Sequence, residues 1–380
     1  MEALRIQALL LTVCAGLALL TPPPTVDAQA LAYFRSEKYV FGNLPLATVT
    51  ALGLENNGLM VTGKAPGNQT QNQVWISYTN ASAPFFWAWT GNDTAQYSAM
   101  GVKHVSHQTN ENLLFLARDT GIEVLTYWWL SPRQTPDPNH PPRVVPLNGT
   151  SGALTSLTSV DAAGGVFGSE SGRLWWIPVV RPLSADPPDA GSNLTLVRQF
   201  GGTIQSLWAS ETTGSLYVAE WFNSSNNIHK YPMSRDPKDI PATSVPLISL
   251  NSTSYPNPPA DRPVVASIAA HPVTGDIYVA LQGAGGVLVY DQTGKLWGQI
   301  VTTFINVVAL EMDNDGTALY IGGDDGAGQA KVDSLNLKSL GLKDKGVAAL
   351  AHSGGESRVP LSSPIVVLQI LSAAIYAWAL

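Results

Sequence analysis

One short apolar pattern recurs six times along the body of this chain, and that recurrence limits the folds open to it. The segments begin Val49-Thr50-Ala51-Leu52, Val102-Lys103-His104-Val105, Leu154-Thr155-Ser156-Leu157, Ile204-Gln205-Ser206-Leu207, Val265-Ala266-Ser267-Ile268 and Val307-Val308-Ala309-Leu310. Their starts lie 53, 52, 50, 61 and 42 residues apart. The third residue is Ala or Ser in all but the second segment, where it is His104. A second apolar run follows each start, at 59–62, 114–117, 166–169, 216–219, 277–280 and 319–322. Five of these begin twelve residues after their segment start, and the first begins ten after. Thr213-Gly214, Thr274-Gly275 and Asp315-Gly316 stand between the runs, so the local reading is strand, tight turn, strand.

A third run comes next in each unit, at 74–78, 122–129, 173–179, 228–231, 287–290 and 330–332. A fourth closes five of them, at 85–89, 143–147, 194–200, 245–250 and 296–301. No stretch reads as a helix of useful length. Six units of four strands predict an all-β, six-bladed β-propeller, in which radial packing buries each blade against its neighbours. The last unit lacks a fourth strand, and Lys38-Tyr39-Val40-Phe41-Gly42-Asn43-Leu44 resembles one. The expectation is that this N-terminal strand completes the sixth blade and closes the ring. An open repeat array and a sandwich with extra strands are the alternatives.

The best-formed unit runs through Ser267-Ile268-Ala269-Ala270-His271-Pro272, Gly275-Asp276-Ile277-Tyr278-Val279-Ala280 and Gly286-Val287-Leu288-Val289-Tyr290-Asp291. It resembles an NHL-type repeat, and is similar to blades of gluconolactonase-like and strictosidine-synthase-like propellers. The resemblance implies a six-bladed ring. Gluconolactonase-like enzymes hold a divalent ion on the axis, beginning with a Glu at the opening of the first blade. Here the first inner strand has Glu55 only at its far end, so that metal site does not carry over.

Both ends of the chain are patterned. Arg5 precedes the apolar run 6–20, Pro22-Pro23-Pro24 breaks it, and Ala28-Gln29-Ala30 offers small residues for cleavage after Ala30. Fifteen residues at roughly 1.5 Å each fall short of a ~30 Å hydrocarbon core, so a secretory signal is expected over a membrane span. Near the other end stand Ser353-Gly354-Gly355, a spacer at 356–364 and an apolar tail at 365–380. This pattern predicts a glycosylphosphatidylinositol (GPI) signal with attachment at Ser353, or else Gly354. No basic residue follows the tail to hold a cytoplasmic end, which speaks against a tail-anchored helix. The expected parts are a signal at 1–30, the propeller at 31–340, a stalk at 341–353 and a removed tail at 354–380.

Cys14, the one cysteine, falls in the signal. A secreted domain without disulfides must bury a large core of its own, and residues 31–353 suffice for that. Trimming both ends changes the formal net charge from −7 to −6. A mildly acidic surface argues against nucleic acid or anionic lipid as a partner. Seven Asn-x-Ser/Thr sequons stand at Asn68, Asn80, Asn92, Asn148, Asn193, Asn223 and Asn251, more than chance pairing would give. They predict an N-glycosylated ectodomain.

Catalytic signals are sparse. Asp313-Asn314-Asp315-Gly316 lacks the closing acid of an EF-hand loop and reads as a hairpin turn, as does Asp324-Asp325-Gly326. His104 and His107 would need a third ligand such as His271 to hold a metal, and the plainer reading is polar side chains in a wet channel. Trp128-Trp129 and Trp175-Trp176 fall in third strands, where adjacent residues face opposite ways, so core packing is expected over a ligand platform. No nucleophile elbow or phosphate loop is present. No catalytic residue, metal or cofactor is assigned. The reading is a GPI-anchored cell-surface propeller that recognises an extracellular protein or glycan. A surface hydrolase or lyase with an axial metal is the alternative.

Overall fold

Each repeat folds into an antiparallel sheet whose strands follow one another in chain order. The computed structural model describes residues 32–35, 44, 46–55, 58–78, 86–90, 99–106, 111–118, 121–128, 143–146, 154–160, 165–178, 194–234, 236–242, 244–250, 264–283, 286–302, 304–324 and 329–337. All lie in one unit, Ala32–Glu356. Strand β1 (Ala32–Arg35) precedes the first sheet, which holds β2 (Thr48–Glu55), β3 (Gly58–Ala65), β4 (Asn68–Tyr78) and β5 (Phe86–Thr90). The second holds β6 (Ala99–Ser106), β7 (Glu111–Arg118), β8 (Gly121–Trp128) and β9 (Arg143–Pro146). The third holds β10 (Ser156–Val160), β11 (Gly165–Glu170), β12 (Arg173–Pro178) and β13 (Thr195–Gln199). The fourth holds β14 (Thr203–Ser210), β15 (Ser215–Phe222), β16 (Ser225–Pro232) and β17 (Ile248–Leu250). The fifth holds β18 (Val265–Ala270), β19 (Ile277–Leu281), β20 (Gly286–Tyr290) and β21 (Leu296–Val301). The last holds β22 (Asn306–Met312), β23 (Ala318–Asp324) and β24 (Ala330–Asn336).

The molecule is thus an all-β propeller with five four-stranded blades and, among the described residues, a three-stranded sixth sheet. The first strands follow each other in a circle: β2 beside β6, then β10, β14, β18 and β22, which returns to β2. A further strand lies upstream of the segment expected to close the ring. β1 runs parallel to β21, pairing Ala32 with Gly298 and Arg35 with Val301, and so adds a fifth strand to the fifth blade. Of the segment expected to complete the sixth blade, only Leu44 is described, and it is buried against the seam of the last and first sheets.

The second strands explain why their sequences are continuous apolar runs rather than alternating ones. A blade has a neighbour on each face, so both faces of its middle strands are covered. Residues 215–220 and 277–281 are buried at every position. The core accordingly lies in the seams. One cluster joins Tyr278, Val287 and Ile300 of the fifth blade to Leu310, Ile321 and Leu335 of the sixth sheet. Another joins Phe167 and Trp176 of the third blade to Leu207, Leu216 and Tyr231 of the fourth. Trp175 packs in the opposite seam, toward Phe115 of the second blade, as alternation of adjacent strand residues requires.

The serine found at the third position of three segments has a structural reason. A first strand is the edge of its sheet, and every other N–H faces away from the ladder with no strand to receive it. The hydroxyl of the preceding blade takes it. Ser156 Oγ accepts from Leu207 N at 2.9 Å, Ser206 Oγ from Ile268 N at 3.2 Å and Ser267 Oγ from Leu310 N at 3.1 Å. The position is set by register: Ser156, Ser206, Ser267, Ala51 and Ala309 pair with Ser169, Ala219, Ala280, Thr62 and Gly322, each the last residue of its second run. In the second unit that partner is Ala117, and it pairs with Ala99. His104 therefore never held the third position. The constant spacing misplaced this unit's start because its first strand extends farther before turning, to Ser106.

Candidate functional site

The axis of the ring is a channel of about 360 Å³, walled by the first strands of the blades. Its lining is largely polar and includes Thr50, Ser156, Thr158, Gln205, Ser206 and Ser267. Several of these oxygens already accept backbone N–H groups, Thr158 Oγ1 from Ala209 N at 2.9 Å among them. A hydroxyl that accepts still has its own hydrogen to give. The wall is therefore a field of donors, suited to a small molecule rich in carbonyl, ether or hydroxyl oxygens.

One carboxyl on an inner strand breaks this pattern. Glu311, near the end of β22, lines the channel and accepts from Met312 N at 3.3 Å. Burial pushes its pKa up to about 8, opposed by that one backbone hydrogen bond. A carboxyl held there keeps its proton at neutral pH, as a general acid must. The lining at this mouth continues through Glu211, Pro272, Asp313 and Asn314. It is the end where first strands turn into second strands.

Sequence reasoning passed over Glu311, although the signal was present. It is the fifth residue of its segment, where other units carry Gly53, Thr158, Trp208 and Ala269. A single acid at one repeat position is a sharper mark than the acidic turns nearby. The Asp313–Gly316 turn is structural. Asp313 accepts from Thr317 Oγ1, and Asp315 Oδ1 accepts from Thr317 N at 3.1 Å. Asp324 ends β23, with Asp325 and Gly326 outside the described residues. Glu55 ends β2 opposite Gly58.

The histidines separate. His104 lies in β6 opposite Asn112, and His107 is outside the described residues. His271 is fully buried and accepts from Val273 N and Thr274 N, both at 3.1 Å through Nδ1. It caps a turn. Of the sequons, Asn68 opens β4 and Asn223 is exposed in the β15–β16 turn. Both follow second strands, at the end of the ring opposite Glu311. Asn80, Asn92, Asn148, Asn193 and Asn251 lie outside the described residues, as do Ala30, Ser353, Trp129 and the expected stalk and tail.

No family model matches the chain, the NHL repeat included, and no curated protein is similar to it in sequence. Solved structures do resemble it. A luciferin-regenerating enzyme superposes with a TM-score of 0.55 at 10% identity, covering 78% of this chain and 94% of its own. A calcium-binding protein, regucalcin, from Agrobacterium tumefaciens superposes with a TM-score of 0.52 at 12% identity, covering 80% of this chain and 94% of its own. At such identities the likeness is one of fold.

The channel does not suit the cation that the second neighbour's description implies. Calcium takes six to eight oxygens, with several carboxylates or carbonyls among them. Here the described lining holds three carboxyls, Glu211, Glu311 and Asp313, and Asp313 already accepts from Thr317 Oγ1. Among the described residues, no three His, Cys, Asp or Glu gather to hold a metal.

Proposed function

We propose that this chain is an extracellular six-bladed propeller enzyme of the hydrolase or lyase class, acting on a small, oxygen-rich neutral molecule in its axial channel. Glu311 is the proton donor and, after turnover, the acceptor. The reading rests on one observation: Glu311, a carboxyl that burial holds well above the usual carboxylate range, lines a largely polar channel. The hydroxyls hold the substrate oxygens, and the protonated carboxyl avoids placing a bare charge beside them.

The fold neighbours lend support, since one is described as an enzyme and both share the ring. Glycan placement agrees as well. Asn223 and Asn68 belong to the end opposite Glu311, so sugars there leave its mouth open. Secretion, N-glycosylation and attachment at Ser353 by a GPI lipid complete the proposal, supported by the sequons and the patterned ends.

The test uses the glycosylated ectodomain with a panel of sugar lactones, esters and unsaturated uronides. Turnover of one class, lost on Glu311→Gln with the fold retained, is the expected result. Turnover unaffected by Glu311→Gln would overturn the assignment. Ligand binding without consumption would return the protein to the recognition class, with a protein or glycan partner.

A further inference from the structure

A second constellation lies away from the axis, on the seam between the third and fourth blades. His229 of β16 and Glu220 of β15 face that seam, with Arg198 of β13 and Phe200 opposite. The segment between β16 and β17 folds over them and brings Ser244. Its hydroxyl is 2.7 Å from His229 Nδ1, and His229 Nε2 is 3.2 Å from Glu220 Oε2. Glu220 Oε1 accepts from Gly202 N at 2.7 Å, which anchors the carboxylate as an acceptor. The Glu220 contact to Nε2 is an ion-pair distance without hydrogen-bond alignment, and the negative charge there favours the tautomer that carries its proton on Nε2 and leaves Nδ1 to accept from the serine.

We propose that Ser244, His229 and Glu220 form an acyl-transfer site, with Ser244 as nucleophile, His229 as base and Glu220 as the positioning residue. The order of contacts is that of a nucleophile, its base and the base's orienter, the arrangement by which such sites are recognised on unrelated folds. The ring is held on its face as well: Tyr231 stacks on His229 at 6.0 Å and 18°, and Arg198 lies 4.8 Å over Tyr231. Burial lowers the pKa of His229, with Arg198 acting the same way and Glu220 opposing, so the imidazole is neutral and able to take a proton. Access is from the surface, since Ser244 is half-buried and Val245 beside it is 86% exposed. An exposed valine next to the nucleophile fits an ester with a short apolar acyl group.

The chemistry balances without a cofactor. Ser244 Oγ bonds to the acyl carbon while its proton passes to His229 Nδ1. The alcohol departs with that proton as the C–O bond to it breaks. Water then attacks the acyl-serine, gives one proton to His229 and releases the acid, and His229 returns the proton to Ser244. This site stands apart from the axial one and does not depend on it.

A fluorophosphonate probe, followed by peptide mass spectrometry of the intact ectodomain, tests the proposal. The adduct is expected on Ser244 and absent in Ser244→Ala. Ser249→Ala, which alters only an exposed contact to Asn227, should label as the wild type does. Glu220→Gln should slow labelling about a hundredfold or more. It should also move the labelling midpoint to lower pH, because a charge that raises the His229 pKa is gone. A purely structural Glu220 would leave that midpoint in place. Native protein with no adduct on Ser244, or equal labelling of Ser244→Ala, overturns the proposal.

Discussion

The imidazole of His271 occupies the space that a Cβ on Gly316 would need. Such a Cβ would lie 2.4 Å from His271 Cε1, and Gly316 also has φ +70°. The turn after β18 is thereby keyed into the turn after β22. Gly316→Ala should destabilise the fold by about 2 kcal/mol or more, through positive-φ strain and collision together. His271→Ala strands two N–H groups and should cost a similar amount. In the His271→Ala background the collision is gone, so Gly316→Ala should cost only about 1 kcal/mol. Urea midpoints of the four proteins measure this coupling, and strict additivity would show that the turns are not keyed.

The hydroxyls that receive edge N–H groups should each carry measurable stability. Ser206→Ala leaves Ile268 N without its acceptor inside a buried seam. The expected loss is about 1–2 kcal/mol, with faster hydrogen exchange at the Ile268 amide. Ser249→Ala, at an exposed pair, should stay within about 0.5 kcal/mol of the wild type. Equal effects at the two serines would remove the edge-satisfaction account.

Strand content was legible because seam burial writes itself as apolar runs, and the small third residue marked each inner strand. What failed was register. A fixed spacing placed the second unit five residues late, since turn length is free to vary where no seam residue constrains it. The partner of β1 was equally hidden, because a four-residue edge strand carries no pattern that names its neighbour. Glu311 was readable but was overshadowed by the acidic turn beside it. Ser244, His229 and Glu220 were not, because sequence spacing says nothing of a loop folding back across a seam.

Asn223 and Ser224 both adopt positive φ, 49° and 62°, in a two-residue hairpin turn. Asn tolerates this geometry better than longer side chains do. Asn223→Gln should remove one glycan by gel mobility and lower stability by about 0.5–1 kcal/mol. Asn223→Gly should remove the same glycan and keep the turn. A wild-type mobility for both variants would show that this sequon is not used.

The Glu311 carboxyl should leave its mark on stability as well as activity. Folded, it keeps its proton up to about pH 8, whereas the unfolded chain releases it near 4.5. Between those values the folded state binds more protons, so its stability is full below about pH 4.5 and falls as pH rises toward 8. Each unit of displacement amounts to about 1.4 kcal/mol, so the loss should reach a few kcal/mol. Burial raises the Asp313 pKa too, which adds to the slope in the same direction. Thermal melts from pH 4.5 to 8.5 should therefore show a steady decline that Glu311→Gln largely flattens, leaving the share due to Asp313. An unchanged slope in Glu311→Gln would mean that the carboxyl ionises freely in the channel. The proton donor at the centre of the proposed reaction would then be lost with it.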